Sequence, residues 1–285
     1  MKKILIGLAV LLLVGGCAGK RHYSSSLMDY LYPAIQQTMT PSLPVLSLPL
    51  KVGIAFVPDH SASGYDPFST WKAHHGQYSS ISEKERMELM ETVAKEFKQH
   101  DFIESIELIP SGYLTQRGGF DNLQQVRTMY GLDVIALLSY DQVQNIDEGL
   151  LSLSYWTIVG AYVVKGQKNS TNTLMDAAVL HIPSKTLLFR APGTSFVAGK
   201  ATPVNLDEQL RLDAAEGFQL ATSDMIGNLK LQLDLFRQKV KEQPDKYQVV
   251  SKPGSSYGAG ISSSFALLLL LSGAVAWLVQ WRQER

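Results

Sequence analysis

A chain of 285 residues with 45% hydrophobic and 18% charged residues and a formal net charge of zero is long enough for one or at most two well-buried domains. It carries no basic footprint for nucleic acid, and its single cysteine, Cys17, excludes an internal disulfide. No repeat of the solenoid or propeller kind and no long charged low-complexity run occurs. At the N-terminus Lys2 and Lys3 precede an apolar stretch from Ile4 to Val14. That stretch has the length of a secretory signal and is too short to span a bilayer, so residues 1–16 read as an export signal ending before Cys17.

Residues 17–50 read as a tether: Ala18 to Ser26 is small and polar, and Thr40 to Pro49 holds three prolines that favour extended backbone. The folded part is expected to begin at Lys51 and to run over residues 51–247. Val52 to Val57 is a nearly continuous apolar run stopped by Pro58, the pattern of a strand buried on both faces. After a long polar and aromatic loop, Ser82 and Glu85 make a capping-box pattern. Met87, Met90, Ala94 and Phe97 then recur at helical spacing. Ile106 to Ile109 suits a second strand, and Leu123, Val126 and Tyr130 mark a short helix closed by Gly131. Val134 to Leu138 is a third apolar strand, expected beside Val52 to Val57 in the interior of one sheet. Three more strand candidates follow without helices, at Leu150 to Val164, Thr173 to Ile182 and Thr186 to Phe196, with Pro183-Ser184-Lys185 as a turn. Asn205 with Glu208 is placed to cap a long final helix, whose face carries Ile226, Leu229, Leu233, Phe236 and Val240 before Pro244 ends it. The fold class is α/β: a mixed sheet with flanking helices, βαβα followed by strands and a long C-terminal helix, plus a C-terminal transmembrane helix in the precursor.

Residues 248–260 read as a Gly/Ser linker, residues 261–281 as an uncharged span of transmembrane length and residues 282–285 as a basic tip. Trp277 and Trp281 sit near one end of the span and Arg282 and Arg285 follow, an arrangement that keeps the tip in the cytoplasm and the domain outside. Ser262 to Ser264 and Ser272-Gly273 weaken the span as a helix. A buried helix of the domain is the other reading. Removal of both ends leaves the processed chain near minus three.

Chemistry is thin. His60, His74 and His75 share a loop with Asp59 and Asp66, residue types that suit zinc. Adjacent His74 and His75 lack the i, i+4 spacing that aims two rings at one ion, so a solvated loop stands beside the metal reading. His22, His100 and His181 are isolated. No nucleophile elbow, phosphate loop or cysteine nucleophile is present, and no catalytic residue, metal or cofactor is assigned. In Leu150 to Val164, Trp156 and Tyr162 share one face, which reads either as a core-packed hairpin strand or as a membrane-inserting one.

Leu13-Val14-Gly15-Gly16-Cys17 resembles a bacterial lipobox. The resemblance implies cleavage before Cys17 by the lipoprotein signal peptidase, acylation of Cys17, and outer-membrane delivery by default because Ala18 is not Asp. The C-terminal order of glycine motif, apolar span and basic tip resembles the GlyGly-CTERM sorting signal, which implies processing by rhombosortase, an intramembrane protease. The motif stands here as Gly258-Ala259-Gly260, where that signal has adjacent glycines. Both signals in one chain, with the segment Ser24 to Pro33, resemble the rhombotarget lipoprotein family. The element order, with Gly131-Leu132-Asp133-Val134-Ile135 and the stretch Leu180 to Leu188, is similar to periplasmic α/β domains of the penicillin-binding-protein activator lipoprotein, the curli secretion lipoprotein and the N-terminal domain of TolB. These resemblances imply an envelope or cell-surface interaction module with an unidentified envelope protein as partner. An envelope hydrolase or metal-binding lipoprotein using the Asp59 to His75 loop is the alternative.

Overall fold

The computed structural model describes residues 19–33, 42–59, 81–148, 167–202 and 204–253. Cys17, the loop histidines His60, His74 and His75, the segment Leu150 to Val164, the motif Gly258 to Gly260 and the span Ile261 to Trp281 lie outside these residues. In chain order the elements are β1 (Gly19–Ser24), α1 (Leu27–Leu31), β2 (Val45–Leu48), β3 (Leu50–Phe56), α2 (Glu83–Phe97), β4 (Ile103–Ile109), a 3-10 turn (Ser111–Tyr113), α3 (Gly119–Tyr130), β5 (Val134–Glu148), β6 (Gln167–His181), β7 (Thr186–Ala201), α4 (Leu206–Glu242) and β8 (Gln248–Ser251).

The main sheet runs β4-β3-β5-β6-β7. β3 pairs in parallel with both β4 and β5, as strands joined through crossover helices must, while β5, β6 and β7 form an antiparallel meander. Val52 to Phe56 lies beside Val134 to Leu138 in the sheet interior, and alternate side chains enter opposite cores. Ile54, Phe56, Val134, Ala136 and Leu138 face α2 and α4, and Ala55, Val57, Ile135 and Leu137 face α1 and α3. Burial on both faces is why these runs are apolar without alternation.

Two helix ends form as their local chemistry signals. Ser82 and Glu85 close a reciprocal capping box, and Gly131 takes the left-handed conformation that ends α3 (φ 67°). The α2 stripe is Arg86, Leu89, Met90, Val93 and Phe97, with Met87 and Ala94 only partly buried, so the buried face is rotated from the one the apolar spacing marks. The expected capping box of α4 is not formed. The Asn205 side-chain oxygen instead accepts from the amide and hydroxyl of Thr202, both at 2.8 Å, and so fixes the turn from β7 into the helix. Ile226, Leu229, Leu233 and Phe236 are buried against the sheet as their spacing predicts.

The fold takes in more chain than a start at Lys51 and an end at Tyr247 allow. Gly19–Ser24 is not a free tether but a strand, antiparallel to Ser139's neighbours Asp141 to Ile146 on β5. β1 takes over the edge of β5 where β3 leaves it: the Val57 amide donates to the Leu138 carbonyl and the Ser25 amide to the Tyr140 carbonyl, each at 2.8 Å. α1 packs Tyr30 and Leu31 into the α3 core, where the Tyr30 hydroxyl donates to Asn122 at 3.0 Å. The proline-rich segment contributes β2, which pairs in parallel with β8 as a separate two-stranded ribbon. Both corrections have one cause: these short segments gain their hydrogen bonds only from distant partners.

Candidate functional site

An apolar cavity of about 550 Å³ opens between α2, α4 and the sheet, closed on one side by the β2–β8 ribbon. Its floor is the central sheet, with Val52 and Ile54 of β3, Val134 and Ala136 of β5 and Val179 of β6. Its walls are Val93 and Phe97 of α2 and Leu229, Leu233 and Phe236 of α4, and the ribbon contributes Leu46, Leu48 and Val249. Leu48, Val52, Phe102, Ile106, Phe189 and Val240 stay partly exposed around it, which marks the cavity as open. Among the described residues, all that line the cavity are apolar or aromatic except Arg237 and Lys241, which project from exposed positions one turn apart on α4. The Arg237 guanidinium carbon sits 5.5 Å from the centre of the Phe102 ring, a cation–π contact that holds the charge at the rim. The volume falls within the roughly 300–1,000 Å³ of small-molecule sites.

Beside the ribbon a charged clasp secures the point where the described chain ends. Lys252 donates to Asp133 at 2.9 Å and to Glu104 at 3.0 Å, Lys51 lies 3.3 Å from Glu104, and the Lys51 amide donates to Asp133 at 2.9 Å. Hydrogen bonding to Lys252 holds the Glu104 carboxyl below its ordinary pKa. Burial works against the Lys252 charge, but its bonds to Asp133 and Glu104 outweigh that and raise its pKa. The clasp therefore anchors β8 to the loop ahead of β5.

Of the histidine loop, only Asp59 is among the described residues. Its carboxylate accepts from Arg86 at 2.7 Å through both oxygens and from the Tyr140 hydroxyl at 2.8 Å. The Arg86 side chain is 5% exposed and its guanidinium lies 5.5 Å from the Phe56 ring centre. A carboxylate so engaged is a structural counter-ion to a buried arginine, and those contacts oppose a role as base or metal ligand. The isolated histidines are scattered. His22 bonds Asp141 at 2.8 Å, His100 stacks on Phe102 at 5.1 Å, and buried His181 contacts the Ser184 hydroxyl at 2.6 Å. Among the described residues no three His, Cys, Asp or Glu side chains converge on a possible ion. No helix among them is long and apolar enough to cross a membrane.

Sequence reasoning marked the cavity residues only as core stripes. The available signal was an excess of facing apolar residues with two cations, Arg237 and Lys241, at the end of the α4 stripe. No family model and no curated protein sequence matches the chain. Two solved structures resemble it distantly. Protein XCC0632 from Xanthomonas campestris, of the family DUF330, is 10% identical, covers 73% of this chain and 96% of its own, and superposes with a TM-score of 0.28. A PelC variant from Paraburkholderia phytofirmans, crystallised as a dodecamer, is 9% identical over 74% of this chain and 99% of its own, with a TM-score of 0.23. Likeness at this distance carries neither the fold nor the function, and both readings rest on the geometry of the chain itself.

Proposed function

We propose that the chain is an exported lipoprotein of the bacterial envelope, and that its α/β domain is a binding module that captures an apolar partner rather than an enzyme. The observation that carries the binding reading is the open cavity between α2 and α4, walled by apolar side chains and rimmed by two cations. The anchoring reading rests on the two ends: acylation at Cys17 after cleavage by a signal peptidase II type enzyme, and removal of the tail near Gly258, Ala259 and Gly260 by a rhombosortase type enzyme. Stable anchoring by acyl chains follows from about 0.8 kcal/mol per buried methylene. The precursor then sits in the inner membrane and the mature form at the outer membrane or cell surface.

Geometry supports a handover between the two ends. Gly19, two residues after Cys17, pairs with Ile146, whereas Lys252 is clasped to Asp133. At roughly 3.3 Å per strand residue these exits lie about 40 Å apart along β5. A chain held at both ends would lie with that strand along the membrane, and loss of the tail would free the ribbon end and the cavity beside it.

Intact-mass analysis of the mature protein from its host tests both ends together. The expected species begins at an acylated Cys17 and ends between Gly258 and Ser264, and Cys17→Ser should abolish fatty-acid labelling. A mature chain that still carries Arg285 would make the tail a permanent anchor. The binding reading is tested with a diazirine-bearing long-chain alcohol. It should label peptides containing Leu229 and Leu233, and Ala136→Phe, which puts a ring into the cavity, should remove that labelling.

A further inference from the structure

We infer that the cavity takes a single-chain amphiphile with a carboxylate head, a long-chain fatty acid in chemical class, with its chain over Ala136 between Leu229 and Leu233 and its head at Arg237 and Lys241. The inference rests on the reading of the cavity as a binding site and adds the ligand. Size sets the number of chains. A volume of about 550 Å³ holds on the order of eighteen water-sized groups at roughly 30 Å³ each. That matches one long alkyl chain and is too small for the two chains of a diacyl lipid.

Charge sets the head. Among the described residues the wall contains no carboxylate and no uncharged hydrogen-bonding side chain other than Tyr247, so a neutral polar head would leave water with little to exchange for. Besides the Tyr247 hydroxyl, the polar groups that the described wall offers are two cations, which stand one turn apart on the same face of α4, and Phe102 holds Arg237 in place at the mouth. Asp234 lies 3.8 Å from Arg237, but it is three-quarters exposed and is absent from the cavity wall, so it balances the guanidinium only from the solvent side. A carboxylate at the rim gains two charge-assisted bonds while its chain stays among apolar walls.

The test uses the full chain in phosphatidylcholine nanodiscs, photolabelled with diazirine-bearing palmitic acid or with the matching alcohol, and adducts are mapped by peptide mass spectrometry. The acid should label the peptides containing Ala136 and Leu233 about tenfold more than the alcohol, as expected for charge-assisted hydrogen bonds. Arg237→Gln combined with Lys241→Gln should lower acid labelling to the alcohol's level. Both positions are exposed, and unchanged thermal melting of the double variant separates loss of binding from loss of fold. Equal labelling by acid and alcohol, unaffected by the double substitution, would overturn the carboxylate and leave the binding module standing. Absence of cavity labelling by either probe would overturn the binding module as well. Labelling that emerges only on deletion of residues 261–281 would assign the cavity to the chain's own apolar segment and overturn the ligand.

Discussion

β5 and β6 pass without interruption through two regions held by different forces. Around Val134 to Leu138 the sheet is the middle of three layers, with α2 and α4 on one face and α1 and α3 on the other, and both faces are apolar. From Asp141 onward, among the described residues, only the α4 face is covered, and that face is mostly polar. Gln142, Gln144, Asn169, Thr171 and Thr173 are all buried there beneath the first half of α4. The Gln142 amide donates to Thr173 at 2.8 Å and to the Ala214 carbonyl at 3.2 Å, and Gln144 donates to the Leu210 carbonyl at 2.7 Å. Asn169 donates to buried Asp213, whose other oxygen accepts from Gln209 at 2.8 Å. The Ser195 hydroxyl adds a bond to the Gly217 carbonyl at 2.7 Å.

The difference shows two ways of fixing a helix on a sheet. In the first region non-directional apolar burial dominates, and it tolerates an opening of ligand size. In the second, directional bonds to helix carbonyls set the register of α4, and glycines let helix and sheet approach closely. A Cβ on Gly199 would stand 2.6 Å from the Asp213 carboxylate and one on Gly217 would stand 2.6 Å from the Thr173 hydroxyl, while at the boundary of the two regions a Cβ on Gly193 would stand 2.2 Å from the Ala221 carbonyl oxygen. Close approach then replaces side-chain volume as the source of contact.

Four measurements break or sharpen this comparison. The largest effect is expected from Leu137→Ala, which empties a site that is 0% exposed between the sheet and α3. Urea unfolding should show a loss of about 2–5 kcal/mol. Val143→Ala, on the uncovered face of the other region, should cost less than about 1 kcal/mol. Comparable losses at the two positions would show that the outer face is covered after all.

Next comes Gly193→Ala, which presses a methyl group onto the backbone of α4 at Ala221 and Met225. Overpacking of this kind costs about 1–3 kcal/mol, and neither neighbouring atom belongs to a side chain that can turn away. A melting temperature equal to the parent's would mean that α4 lies further from β7 than described. A smaller loss, about 1 kcal/mol, is expected for Gln144→Ala, which strips the Leu210 carbonyl and the Thr171 hydroxyl of a shared donor. The pair Gln144→Met with Thr171→Val should recover part of it, because the two side chains lose their polar groups together and the Leu210 carbonyl, inside α4, loses only the bond that Gln144 adds to the helical ladder. A double variant as unstable as the sum of its parts would refute the polar-register account.

The smallest effect is a slope with pH. Burial holds His181 below its ordinary pKa of 6.5, so the folded chain keeps it neutral while the unfolded chain takes up its proton. Stability from this residue therefore declines as pH falls through 6.5 toward the lowered native value. Asp176 acts in a lower window and in the opposite sense: burial raises its carboxyl against the lowering effect of Arg190, so protonation above 3.8 favours the folded state. His181→Gln should flatten the decline in melting temperature between about pH 7 and pH 5, and an unchanged decline would place its source elsewhere.

The apolar half was legible from the sequence because its signals are local. Val52 to Val57 and Val134 to Leu138 are apolar wherever they fold, the Ser82 and Glu85 box closes within one turn, and Gly131 supplies its own left-handed stop. The α/β class, the central parallel pair and the long final helix follow from such features. Three things were decided by tertiary structure alone. Gly19–Ser24 is polar and becomes a strand only because β5 extends beyond β3 and offers an open edge. Val45–Leu48 and Gln248–Ser251 are too short to persist without each other. The cavity exists because α2, α4 and the ribbon meet the sheet without filling the space over Ala136, a sum of distances between four separated segments. Periodicity reports which side of an element is buried; it does not report how closely the covering layer approaches, and that spacing separates a packed core from a binding site.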